Sequence, residues 1–347
     1  MKNSKTRELI KELYLNALKE EQLPWRKGWY NSYALHNGAS KHKYRGINKL
    51  LLSFISQMEG YTDPRFYTFN QIKEMKLHLS KESKGKGIPV EFWTLYDLDN
   101  KKTMSIQQYE DAIAKDRENP PNVRWMVKNY YVFNARYIDG LEEYKVNEKK
   151  VLPTLQKEFV DTLIKNMEVD YVESRLSDRA YYSPNEDKVV VPSYNSFLTD
   201  EDYYATILHE LSHATGHESR LNRPFGGIFG SESYAKEELR AEIASSFITS
   251  EIGLLSDAGM DNHKAYIQSW IKIIEEKDNE LFKAIADADS ICEYLKDNGE
   301  LNRLLEHEAV QGEDVQISGI ENMIEKAQDA AAKNRDTQTR KVQEQVR

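Results

Sequence analysis

His209-Glu210-Leu211-Ser212-His213-Ala214-Thr215-Gly216-His217 is the stretch whose reading decides this chain. Its first five residues form an HExxH motif, two histidines and a glutamate on one helical turn. Residues four apart on a helix project from one face with their Cβ atoms about 6 Å apart, so both imidazoles can converge on one metal ion. Glu210 then lies beside the ion without ligating it and is the candidate general base. The acidic run Thr199-Asp200-Glu201-Asp202 opens the helix, the apolar residues from Tyr203 to Leu208 bury its other face, and Gly216 and Pro224 are expected to end it.

HExxH also occurs where the histidines hold no metal, so the remaining ligand has to be found elsewhere in the chain. A second predicted helix over 231–250 carries Glu238 and Glu242 on one face. Glu238 is preferred as the third ligand, completing with His209 and His213 a His₂Glu set that leaves one position open. Glu242 is then the acceptor that orients a ligand histidine. Glu237 points roughly 100° away from Glu238 and reads as a solvated or capping carboxylate. His217 would lie about 12 Å along the axis from His209, too far to share the ion. The metzincin pattern needs a histidine at position 219, which is Ser219 here.

Zinc is the expected cofactor, with manganese or another divalent ion as the alternative. Such an ion lowers the pKa of a bound water toward about 7, and Glu210 would take its proton during attack on a carbonyl. The same ion can instead serve only to tie two helices together.

The amino-terminal half carries an independent signal. The chain has net charge −9, yet no Asp or Glu occurs from Gln22 to Met58, where six Lys and Arg residues alternate with Trp and Tyr. Cations beside flat apolar rings suit single-stranded nucleic acid, whose phosphates are neutralised while bases stack. Trp25, Trp29, Lys43, Tyr44, Arg45 and Asn48 are the candidate contacts, and Gly46 is read as serving a turn. The acidic second half should repel phosphate.

Several segments resemble ArdC-type antirestriction proteins. Leu23-Pro24-Trp25, Tyr44-Arg45-Gly46-Ile47-Asn48, the run from Asp63 to Gln71, and Val132-Phe133-Asn134-Ala135 resemble the family's amino-terminal domain. The stretch His209 to His217, Arg220-Leu221-Asn222-Arg223, Tyr234 to Glu242, and Tyr266-Ile267-Gln268-Ser269-Trp270 with Asp278 resemble its zincin-like metallopeptidase domain. The likeness covers residues 8–297. It implies a protein of plasmids and other conjugative elements that binds single-stranded DNA and protects incoming DNA from host restriction enzymes. The alternative is an active zinc endopeptidase that its DNA-binding half brings to a protein substrate, such as a host restriction component. Residues 101–122, rich in both charges and ending in Pro120-Pro121, depart from the family as an insertion, and the tail beyond about 309 lies outside the likeness.

The expected fold class is α+β. A mixed α/β single-stranded-DNA-binding domain spans 1–145, and a mainly helical zincin-like domain with a small sheet spans 152–308. A charged, helical or disordered tail follows over 309–347. Within the first domain, 4–20 reads as an amphipathic helix, and 90–95 and 129–134 read as strands. The linker is placed at 142–151. In the second domain, 155–166 is helical, 180–183 and 188–191 are strands, and 262–298 forms two helices with Trp270, Ile273, Ile274 and Leu281 in the core. The 188–191 strand, ending at Pro192, is expected at a sheet edge lining the cleft. Cys292 is the only cysteine, which excludes an intrachain disulfide and a cysteine metal cluster and reads as a buried small hydrophobe. The charged first twenty residues and the lack of a long apolar run predict a cytoplasmic protein without a membrane partner.

Overall fold

The computed structural model describes residues 4–20, 35–144, 153–223, 231–254, 260–277 and 279–307. Trp25, Trp29, Pro224, Asp278 and the 309–347 tail fall outside the described residues, and of the expected linker only residues 142–144 are described.

The first half is a five-stranded sheet flanked by helices. Helix α1 (Lys5–Lys19) starts where the Ser4 hydroxyl accepts the Arg7 N–H, and it buries Ile10, Tyr14, Ala17 and Leu18. After β1 (His36–Asn37), α2 (Gly46–Glu59) begins at a glycine with φ +49°, a left-handed conformation that Gly46 adopts without Cβ strain. Strand β2 (Arg65–Thr68) runs into α3 (Phe69–Glu74) through a Thr68–Gln71 capping box. Next come β3 (His78–Leu79), β4 (Ile88–Asp97), β5 (Lys102–Met104), α4 (Ile106–Lys115), β6 (Val123–Asn134) and β7 (Ile138–Asp139). The sheet order is β1-β2-β6-β4-β5, and its spine is a ten-pair antiparallel ladder from Ile88↔Val132 to Asp97↔Val123. The departure at 101–122 is therefore β5 and α4 with its connections; α4 carries a Ser105–Gln108 capping box and buries none of its residues. A helix lying wholly at the surface accounts for its mixed charges.

The second half opens with α5 (Pro153–Met167), then β8 (Asp170–Ser174), β9 (Tyr181–Ser183) and β10 (Lys188–Pro192). These strands pair in the order β8-β10-β9, which corrects the edge placement of the 188–191 strand. Val189, Val190 and Val191 are all buried, as a continuous β-branched run requires of a central strand, and β9 takes the edge. Four helices follow: α6 (Asp200–Ala214), α7 (Glu232–Glu251), α8 (Met260–Glu276) and α9 (Glu280–Asn298). Trp270, Ile273, Ile274, Leu281 and Cys292 are buried as expected, and the Trp270 indole N–H donates to the Ala235 carbonyl at 2.8 Å.

Buried side chains of both halves belong to one apolar cluster, from Ile10 to Leu304. Helix α1 packs on α8 and α2 on α9. Lys49 on α2 reaches Glu251 at the end of α7 (2.6 Å), and Arg45 reaches Asp289 and Glu293 on α9 (3.2 and 3.4 Å). Among the described residues no helix is long and apolar enough to cross a membrane.

Candidate metal centre

Helix α6 is capped by Thr199, whose hydroxyl accepts the Asp202 N–H, and three acids occupy its first turn, the favourable end of the helix dipole. It ends at Ala214, two residues before Gly216. The i, i+4 spacing brings the His209 and His213 rings to a centroid separation of 4.9 Å, nearly perpendicular at 86°. Helix α7 packs across this face.

Glu238 enters between the rings. One of its carboxylate oxygens is 3.7 Å from His209 Nε2 and the other 3.6 Å from His213 Nε2. One candidate ligand atom from each of the three residues lies within 4.8 Å of the others. Donors about 2.0–2.2 Å from a tetrahedral ion are about 3.3–3.5 Å apart, so small inward shifts close the set. Each imidazole has a carboxylate behind it: Glu242 stands 3.3 Å from His209 Nδ1, and Glu237 stands 3.4 Å from His213 Nδ1. Carboxylates on Nδ1 fix the tautomer that leaves Nε2 free to ligate.

Glu237 corrects the reading of a solvated or capping residue. It is buried, and beyond its contact with His213 it accepts from the Arg223 guanidinium at 2.8 Å. Arg223 also donates to the Ser212 carbonyl (3.0 Å) and the Thr215 hydroxyl (2.5 Å), fastening the end of α6 to α7. Both adjacent residues of α7 are buried because both face His213 on α6, with Arg223 closing the Glu237 side. Arg223 was quoted in the sequence only as part of a resemblance; a cation fourteen residues before Glu237 gives no spacing signal.

Glu210 is buried beside the ligands, and the main-chain N–H of Tyr182 on the edge strand β9 donates to its carboxylate. Burial pushes the Glu210 pKa above the usual carboxylate range, against the opposing pull of the two imidazoles. Burial opposes a charge on His209, yet its bond to Glu238 and the charges of Glu242 and Glu210 outweigh it, raising the imidazole to about 10. His213 is raised likewise by Glu238 and Glu237 against the same desolvation, and Glu238 falls to about 2, where the imidazoles overcome burial. Four carboxylates face one guanidinium and two imidazoles in a closed space. That excess of negative charge favours the charged form of both rings, and the donor set suits a divalent cation. Tyr234 also bonds the Glu238 carboxylate from its own helix.

The candidate nucleic-acid contacts are placed differently. Lys43 is exposed. Tyr44 is half-buried with its ring edge-on to Phe66 at 6.2 Å, and Arg45 is engaged by α9. The Asn48 side-chain amide both donates to and accepts from the Glu91 main chain, at 2.7 and 2.9 Å.

Comparison with known proteins follows the two halves. Residues 4–133 match the family model of the N-terminal domain of anti-restriction factor ArdC, and residues 158–287 match that of a zincin-like metallopeptidase. The uncharacterized protein y4eC of Sinorhizobium fredii is 31% identical over 275 residues, covering 79% of this chain and 84% of that protein. The chain belongs to the ArdC-type antirestriction family.

Two Escherichia coli proteins named DNA primase TraC are 34% and 33% identical over 293 and 297 residues, 83% of this ArdC-type chain in each case. The chain spans only 20% and 27% of their lengths. Crystal structures of the antirestriction ArdC protein from the R388 plasmid superpose with TM-scores of 0.65 in the Mn(II)-bound form and 0.66 in the metal-free form, at 28% identity. They cover 84% and 86% of this ArdC-type chain and 97% and 98% of the R388 protein. The α+β arrangement and the zincin-like second half are thus shared with a relative of nearly the same extent.

Proposed function

We propose that this chain protects the incoming DNA of a mobile element from restriction by binding it single-stranded, and that its second half is a divalent-metal peptide hydrolase. The observation that carries the hydrolytic part is Glu210: a buried carboxylate, outside the ligand set and held by the Tyr182 amide on the same face. A site that only tied two helices together would have no use for a base in that position. Two imidazoles and a carboxylate favour zinc, while the Mn(II)-bound form of the R388 relative supports a site tolerant of other divalent ions.

When bound, the metal supplies Lewis acidity at the substrate carbonyl and makes water a competent nucleophile near neutral pH. The protein's own residues do the rest. Glu210 takes a proton from the attacking water at a carboxylate oxygen and returns it to the leaving amine; its raised pKa makes it a better proton carrier. Glu242 and Glu237 hold the two rings in the ligating tautomer. Strand β9, the sheet edge among the described residues, forms one wall, and with its own Tyr181 exposed it suits an extended peptide.

The test is a pair of assays on one set of proteins. Zinc- or manganese-loaded chain is incubated with a diverse peptide mixture, and plasmid transfer is scored into a restricting host. The Glu210→Gln variant should retain its ion and lose cleavage; retained cleavage overturns the assignment of the base. Protection that survives Glu210→Gln assigns antirestriction to DNA binding and leaves the hydrolysis a separate task. A chain that binds no single strand and protects no plasmid overturns the DNA part.

A further inference from the structure

The β4–β6 ladder sorts its charges by face. Directly paired residues lie on one side of a sheet, and neighbours along a strand alternate sides. The pairs Phe92↔Lys128, Tyr96↔Arg124 and Val90↔Tyr130 therefore belong to a single face. That face carries both cations of the two strands and none of their acids. The opposite face carries both acids, Glu91 and Asp97, and no cation of either strand.

Exposed rings occur on both faces, so charge is what tells the two apart, and on the cationic face the open part lies beyond the buried Ile88, Val90 and Val132. Phe92 is 57% and Tyr130 43% exposed, and the two rings meet edge-on at 6.2 Å. Arg124 lies over the Tyr96 ring at 5.4 Å, and Lys128 touches only the Thr103 hydroxyl, at 3.5 Å. Among the described residues, neither cation meets a carboxylate. On the other face Trp93, Trp125 and Tyr131 are equally open, but the acid among them, Glu91, is bonded by Arg7 from α1 at 3.0 Å and by the Trp93 indole N–H at 3.2 Å, and neither strand puts a cation there. Cations that meet no carboxylate among the described residues, set beside exposed rings in a protein of net charge −9, call for an anionic partner with flat apolar surface.

We infer that the Phe92, Tyr96, Arg124, Lys128 and Tyr130 face of the β4–β6 ladder is the platform on which single-stranded DNA lies, its bases stacked on the open rings and its phosphates on the two cations. This rests on the proposed single-strand binding and places it on a surface absent from the Trp25 to Asn48 reading. Bases of any identity have a flat face, so such a platform binds without sequence preference. Arg124 and Lys128 are four residues apart on an extended strand, about 13 Å, so a strand following β6 meets both.

The experiment titrates the full chain with a fluorescent oligothymidine at several salt concentrations. Phe92→Ala and Tyr130→Ala should each weaken binding by roughly fivefold to a hundredfold. Lys128→Gln should also flatten the logarithmic salt dependence by about 0.7 for the lost phosphate contact. Trp125→Ala, on the other face, should bind as the parent does. Circular dichroism and unfolding midpoints confirm that each variant is folded, as substitution of exposed side chains allows. If the parent binds and the Phe92, Tyr130 and Lys128 variants bind equally well, the inference is overturned while the DNA reading survives. Equal loss at Trp125 overturns the assignment of the face. Variants that bind DNA normally yet lose protection assign the platform to a protein and overturn it as well. A parent that binds no single strand fails the proposed function itself.

Discussion

The metal centre and the β4–β6 face solve opposite electrostatic problems within one acidic chain. Around His209 and His213 the protein has buried four carboxylates with one guanidinium, and the surplus negative charge raises both imidazoles. On the ladder, the exposed Arg124 and the half-buried Lys128 stand beside aromatic rings and meet no carboxylate among the described residues. Burial makes the difference. In the closed site charges act strongly and demand a compact cation, whereas on the open sheet they are screened and act only on a partner that brings many charges and its own apolar surface. The same net charge of −9 therefore says little about either region.

The comparison breaks most sharply at Glu210. Glu210→Gln is expected to slow peptide hydrolysis by about 10²- to 10⁴-fold, the usual reach of a general base, with metal content by atomic spectroscopy unchanged and single-strand affinity equal to the parent's. Loss of DNA binding in that variant would mean that the two regions are not independent.

Lys49→Met probes the joint between them. Lys49 and Glu251 are nearly shielded from solvent, and removing the cation leaves the carboxylate to the weaker pull of Lys296 and Lys43, which should cost about 1–3 kcal/mol in denaturant unfolding. Burial raises the Glu251 pKa, but Lys49 outweighs it and sets the folded value below the ordinary one. A depressed carboxylate contributes stability that is present above its unfolded pKa, about 4.3, and lost as pH falls through the folded value. The gap between parent and variant should thus narrow on acidification below that range; a gap that widens contradicts the pairing.

Smaller effects sharpen the metal side. Glu242→Gln and Glu237→Gln are each expected to lower metal affinity about 10- to 100-fold in a chelator competition, because each candidate ligand ring exchanges a charged carboxylate on Nδ1 for a neutral amide that no longer raises its basicity. Unchanged affinity would make both carboxylates mere packing. The smallest expected change is Arg45→Ala: its pairs with Asp289 and Glu293 are half-exposed, so stability should fall by less than about 1 kcal/mol. A clear loss of strand affinity in this variant would extend the strand path from the ladder to the start of α2.

Much of the candidate metal centre was legible in the sequence because its residues come in local pairs. His209 and His213 share a turn, Glu238 and Glu242 share another, and both pairs need only helical spacing to be seen. Glu237 was not legible, since its neighbour Glu238 already served as the candidate ligand and only the packing of α6 and Arg223 shows that the flank is closed. Strand β10 shows the same limit: Pro192 suggested an edge, but a proline at the last position is tolerated in a central strand, and β9 pairs outside it.

The amino-terminal half was harder to read. Arg45 and Asn48 stand in a cationic, aromatic stretch, yet their groups are taken by α9 and by the Glu91 main chain. Lys43 stays exposed, but the exposed rings and cations that stand together lie on β4 and β6, separated in sequence by the 101–122 segment.

Sequence alone determined which residues share a turn or a strand face, since backbone periodicity is a local property: HExxH on a helix, acids four apart on the next, alternation along β6. Tertiary structure decided which of those faces are enclosed and which meet water, and so which charges are buried against one another and which stay open. That choice depends on elements distant in the chain, because a side chain's surroundings are set by whatever packs over it and not by its neighbours along the backbone.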